Sequence, residues 1–144
     1  MTNLISTPAD ALLTHYPTIV EHKKDLDTLF ECVNDPVNLN KAQWVHLLSF
    51  SLAFKPDFIL ELGRGAGNST CVFTEVCNIL KPHECKTLSI CLSSDWKKTA
   101  SRISEKLGKE WFDPLTALTG DILKFDIPSM IPKGASVLIF WDAH

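Results

Sequence analysis

Apolar positions in the first 55 residues recur at helical spacing between prolines, and Pro8, Pro17, Pro36 and Pro56 mark the expected breaks. The clearest helix is expected over Asn40 to Ala53, where Trp44, Leu47, Leu48 and Leu52 share a face and Asn40 is placed to cap the N-terminus. His46 lies in this pattern with no partner at ligand spacing and reads as an ordinary surface or core histidine. From Asp57 the pattern changes to short β-rich runs alternating with helix-length polar segments, which is the signature of β-α-β units and a parallel sheet. Four strands are expected: Phe58 to Leu62, Thr87 to Leu92, Leu115 to Thr119 and Ser136 to Trp141. In the second, Leu88, Ile90 and Leu92 alternate with Ser89 and Cys91. A helix starting near Asn68 must stop before Pro82, and the next carries Trp96, Ala100, Ile103 and Leu107 on one face and ends at Gly108. Pro128 and Pro132 allow only a short helical turn before the fourth strand.

Composition narrows the class. A chain of 144 residues with 45% hydrophobic and 22% charged residues suits one globular domain. A domain of this size buries about 70% of its unfolded surface and needs no staples. The expected organisation is an N-terminal helical segment, residues 1–55, packed on an α/β unit, residues 56–144, as one structural domain. With 14 basic against 17 acidic residues, a net charge of -3 and no Lys/Arg block, nothing marks a nucleic-acid partner. The longest apolar stretches, Leu47 to Phe54 and Val137 to Trp141, are far shorter than the roughly 18 residues a membrane span needs. Met1 to Asp10 lacks the basic and apolar regions of a secretory signal, so a cytoplasmic location is expected. Cys32, Cys71, Cys77, Cys85 and Cys91 are odd in number and form no C-x-x-C, which suits reduced, buried thiols.

Chemistry concentrates after the first strand. Three of the chain's six glycines, Gly63, Gly65 and Gly67, fall within five residues between an expected strand and an expected helix. Such a turn lets backbone approach a ligand while the helix N-terminus offers unpaired N–H groups; a purely structural tight turn normally asks for one glycine. The spacing Gly63-Arg64-Gly65-Ala66-Gly67-Asn68 departs from the dinucleotide fingerprint G-x-G-x-x-G, because Asn68 stands where the third glycine belongs. No Gly-Lys-Ser/Thr follows, so the loop is not a Walker loop either.

Glu61-Leu62-Gly63-Arg64-Gly65-Ala66-Gly67, an acid followed by G-x-G-x-G, resembles motif I of the class I S-adenosylmethionine-dependent methyltransferases, and the order of elements over Asp57 to His144 agrees. The resemblance implies a Rossmann-like parallel sheet of order 3-2-1-4 with helices on both faces, preceded by helices and truncated relative to the family's seven strands. It implies that Gly63, Gly65 and Gly67, with Asn68 beside them, line the methionine and ribose part of S-adenosylmethionine, and that Glu61 lies near its amino group. Asp95 stands two or three residues beyond the position where the family carries an acid for the ribose diol, and N-capping of the following helix is its other reading. Asp121 in Thr119-Gly120-Asp121-Ile122 is similar to the family's Gly-Asp pair that meets the adenine amino group. Trp96 is placed either to flank the adenine or, by its register with Ile103 and Leu107, to pack in the core. Asp142 and His144, delivered by the fourth strand to the edge where parallel sheets collect ligands, are candidates for acceptor binding, general base or contact to a divalent metal; a strand-end Asp is also an ordinary cap.

The expected function is therefore methyl transfer to a small-molecule acceptor at oxygen or nitrogen by the cofactor-binding part of such an enzyme. The alternatives are a non-catalytic binding module on the same fold, and a nicotinamide-dependent oxidoreductase. Because the resemblance places a further strand beside the fourth, an open edge and self-association through it are also expected.

Overall fold

The computed structural model describes residues 7–143. Three helices come first: α1 (Pro8–Glu21), α2 (Lys23–Val33) and α3 (Lys41–Phe54). Thr7 caps α1 by accepting from the Asp10 N–H at 3.1 Å, with Pro8 in the first turn, where its missing N–H costs nothing. The break expected at Pro17 does not occur. Pro17 lies inside α1, whose core-facing stripe of Ala11 and Ile19 continues across it, and the chain turns instead at His22. Helix α3 begins as its sequence implies: Asn40 Oδ1 accepts from the Gln43 N–H at 3.0 Å, and Gln43 Oε1 accepts from the Asn40 N–H at 2.9 Å, a reciprocal capping box. Left-handed Asn34 and Lys55 end α2 and α3, and Pro36 and Pro56 follow closely.

The α/β unit runs β1 (Phe58–Leu62), α4 (Asn68–Ile79), β2 (Lys86–Cys91), α5 (Trp96–Leu107), β3 (Leu115–Thr119), α6 (Ile127–Met130) and β4 (Val137–Trp141). The four strands form one all-parallel sheet of order β3-β2-β1-β4, as a Rossmann-like fold requires. In register, Glu61 pairs with Ser89 on one side and Phe140 on the other.

The sheet separates two cores. On one face Ile59, Leu138 and Phe140 pack under α1 to α5, in a cluster centred on Leu29, Leu48, Val72, Phe73 and Ile103. On the other face Phe58, Leu60, Leu62, Leu88 and Ile90 are covered by the thin β3-to-β4 crossover, through Ile122, Phe125, Ile127, Met130 and Ile131. Strand β2 corrects the sequence reading: it begins at Lys86 and ends at Cys91, Leu92 lies beyond it and is exposed, and the polar set Thr87, Ser89 and Cys91 is buried. Parallel strands are covered on both faces, so polar alternation here marks a buried polar seam rather than solvent. Among the described residues, no helix is long and apolar enough to cross a membrane.

Phe73 on α4 is fully buried and meets the Phe140 ring edge-on at 5.3 Å, joining helix to edge strand. Phe73→Ala is expected to lower unfolding free energy by about 3–5 kcal/mol, as large-to-small changes in packed cores do. Urea denaturation monitored by circular dichroism measures the loss, and one below about 1 kcal/mol would contradict this packing.

Candidate functional site at the glycine loop

The loop leaves β1 at the carboxyl edge of the sheet, between strands that run on to either side of it. Gly63 has φ +96, and a Cβ there would lie 2.6 Å from the Asp142 carbonyl carbon. Only a glycine lets the end of β4 pass this close, with the Asp142 N–H bonded to the Leu62 carbonyl at 2.8 Å. Gly67 has φ +107, and a Cβ there would lie 2.4 Å from the Trp96 ring. Trp96 is buried against this glycine and Phe112, so the core-packing reading of Trp96 holds. Gly65 differs from both. Nothing lies within 4 Å of where its Cβ would stand, and this is the exposed part of the loop.

Beneath the loop lies a network that hydropathy does not reveal. Glu61 is fully buried, and its carboxylate accepts from the hydroxyls of Ser69, Ser89 and Thr70, the last at 2.6 Å. Burial pushes its pKa up, and the three hydroxyls and Arg64 oppose that shift. Arg64, also buried, reaches across the sheet: Nη1 donates to the Ser89 carbonyl and hydroxyl at 3.0 Å each, and Nη2 donates to the Leu118 carbonyl at 3.2 Å. Ser89 thus bridges the buried acid and the buried base. At the end of β2, burial alone would raise the Cys91 pKa, but backbone N–H groups of Arg64, Gly65 and Ser93, with the Arg64 charge, bring it below the ordinary thiol value.

The expected site residues divide into two groups. Glu61 and Asn68 face inward. The Glu61 carboxylate is enclosed by the chain's own hydroxyls, and the Asn68 side chain accepts from Trp44 Nε1 at 2.9 Å and donates to the Asp35 carbonyl at 3.1 Å, so both hold the loop from behind. Asp95, Asp121 and Asp142 are at the carboxyl edge with Gly65. Asp95 is exposed and makes no side-chain cap, so the capping expected of it is not formed; its N–H donates to the Ser93 hydroxyl at 3.1 Å. Asp121 accepts from the Leu123 N–H at 3.0 Å and starts a 3₁₀ turn. Asp142 is exposed at the end of β4, and His144 lies outside the described residues. No side chain caps α4, so its N-terminus adds a partial positive charge beside the open glycine. Among the described residues, the side chains brought to metal-ligand spacing are His22, Asp25 and Glu75, at the α1–α2 junction and on α4, and not the β4 end.

Arg64, Ser69, Thr70, Ser89 and Cys91 are the participants that the sequence reading missed. Their available signal was a hydroxyl pair in the first turn of α4 directly after an Arg-containing glycine loop.

The raised Glu61 pKa has a defined consequence for stability. Its contribution is fully present below the unfolded carboxyl value of 4.5 and is lost as pH rises through the higher folded value, because the unfolded chain releases the proton first. The stability advantage of wild type over Glu61→Gln is therefore expected to shrink as pH rises from about 4 into that window. Denaturation at a series of pH values checks this, and an advantage that grows with pH would contradict it.

No protein-family model, curated protein or solved structure matches this chain.

Proposed function

We propose that the chain binds S-adenosylmethionine at the glycine loop and serves methyl transfer to a small-molecule acceptor. The observation that carries this reading is the open space over Gly65, beside the uncapped N-terminus of α4, at the edge where β1 lies between β2 and β4. In open parallel sheets, ligands collect in this crevice, where strand order reverses. Backbone without a Cβ suits a ligand that must come close, and the exposed carboxylates of Asp95 and Asp142 suit a ligand carrying ammonium and sulfonium charge.

When bound, S-adenosylmethionine supplies a methyl group activated by its sulfonium. The chain's own task is alignment and proton removal. Asp142, at the end of β4 with its backbone against Gly63, is the residue to orient an acceptor hydroxyl or amine and take its proton, with His144 two residues on as the second candidate.

Asn68 weighs against a dinucleotide. The third glycine of that fingerprint permits close helix-to-strand packing, whereas Asn68 fills the position and spends its amide on Trp44 and Asp35. The enclosure of Glu61 favours a second reading, a module that binds the nucleoside without catalysis, because the methionine ammonium then lacks the acid expected beside it. Buried, unpaired thiols support a reducing, cytoplasmic setting. The outer edge of β4, with no strand beside it among the described residues, supports pairing with a second copy.

Calorimetric titration is expected to show S-adenosylhomocysteine binding and no NAD binding; the reverse result overturns the proposal. Gly65→Val is expected to reduce S-adenosylhomocysteine affinity at least tenfold, because the side chain enters the open space and a β-branched residue resists the φ of +52, while the chain still unfolds cooperatively because no core atom lies within 4 Å of the new Cβ. Asp142→Asn separates the two readings: if the chain is catalytic, turnover falls by far more than affinity, whereas a chain that only binds shows no turnover before or after the change.

A further inference from the structure

Cys77 lies in the last turn of α4, and Cys85 immediately precedes β2. Their Sγ atoms are 2.8 Å apart, and the Thr87 hydroxyl lies 3.3 Å from the Cys77 sulfur. Both thiols are free. They also line a cleft of about 390 Å³ together with Asn78, Lys81, Glu84, Lys86 and Asp113, on the side of the sheet where the strands begin. We infer that Cys77 and Cys85 form an oxidisable dithiol, a site at which a small peroxide converts the pair to an intramolecular disulfide.

The separation favours this chemistry over metal binding. Two thiolates on one tetrahedral zinc, each about 2.3 Å from the ion, stand roughly 3.8 Å apart, so this pair is too close to share a metal without moving outward. A disulfide needs the opposite movement, an approach of about 0.8 Å to the bonded length of about 2.05 Å. The two cysteines are eight positions apart, and the chain between them turns outside the strands through a 3₁₀ turn, Lys81–His83, and a left-handed Glu84.

The two sulfurs have unequal roles. The hydrogen bond between the two sulfurs, with the Thr87 hydroxyl and the Lys86 charge, draws the Cys77 pKa below the ordinary thiol value despite burial. The same hydrogen bond, with burial, pushes Cys85 up. Cys77 is therefore the nucleophile and Cys85 the resolving thiol. The Cys77 thiolate attacks one oxygen of hydrogen peroxide, the O–O bond breaks, and hydroxide leaves, giving a sulfenic acid at Cys77. The Cys85 sulfur then attacks the Cys77 sulfur; the S–O bond breaks, the oxygen departs as water with the Cys85 proton, and the S–S bond forms. The released hydroxide takes up the proton that Cys77 gave up on ionising, so two thiols lose two electrons in total and one peroxide is reduced to two waters. With the thiols only 1% and 2% exposed, a molecule of peroxide size reaches them through the cleft where a bulky disulfide does not.

The site is remote from the glycine loop, so the inference stands apart from the proposed methyl transfer. The purified full chain, treated with hydrogen peroxide under native conditions, quenched, unfolded and alkylated, is expected to fall from five free thiols to three. Peptide mapping is expected to find a Cys77–Cys85 crosslink that dithiothreitol reverses. In Cys85→Ser the reaction is expected to stop at a sulfenic acid on Cys77, trapped by dimedone. Retention of all five thiols by the native wild-type chain, or a crosslink joining other cysteines, overturns the inference. The wild-type result decides even if the variant does not fold.

Discussion

The buried carboxylate of Glu61 is the constraint around which the α/β unit is arranged. A carboxylate removed from water must be supplied with donors, and the chain supplies three hydroxyls from two different elements: Ser69 and Thr70 at the start of α4, and Ser89 in the middle of β2. Satisfying one side chain of β1 therefore fixes where the following helix docks and how the next strand is registered. Ser89 passes the constraint on to Arg64, whose guanidinium also reaches the Leu118 carbonyl on β3. Strands β1, β2 and β3 are tied by charge and hydrogen bonds at one level of the sheet, and the glycine loop, which carries Arg64, is held by the same set.

With its underside anchored, the loop has little freedom, and the three glycines divide the remaining work. Gly63 admits the backbone at the end of β4 and Gly67 admits the Trp96 ring, so two of the three are used for packing inside the molecule. Gly65 alone faces open space. A loop that is rigid beneath and open at one point is suited to ligand approach, because little ordering is left to occur on binding.

The N-terminal helices belong to the same mechanical unit. Asn68, the first residue of α4, is clasped between Trp44 on α3 and the carbonyl of Asp35. Glu75, further along α4, accepts from Trp111 Nε1 at 2.9 Å and lies 3.4 Å from His22 at the turn between α1 and α2. Polar ties at two levels of α4, added to the shared apolar cluster, place the helical segment against one face of the sheet. That leaves the opposite face to the short crossover through α6.

Periodicity along the chain was enough to locate α3 and its Asn40 cap, the four strands within a residue or so, and the glycine loop between β1 and α4, because each of these is set by neighbours in sequence: a cap three residues away, alternation two residues apart, glycines in one turn. The resemblance at Glu61 to Gly67 carried the strand order. The direction in which Glu61 and Asn68 point, the spanning of Pro17 by α1 and the partners of Arg64 were decided by tertiary structure. Glu61 and Ser89 are 28 residues apart, and Trp44 and Asn68 are 24 apart. Hydrophobic pattern records whether a position is wet or dry on average; it does not record which polar groups meet. Here the polar face of β2 is buried because α4 brings its own hydroxyls and thiols to cover it, and that pairing exists only once helix and strand have packed.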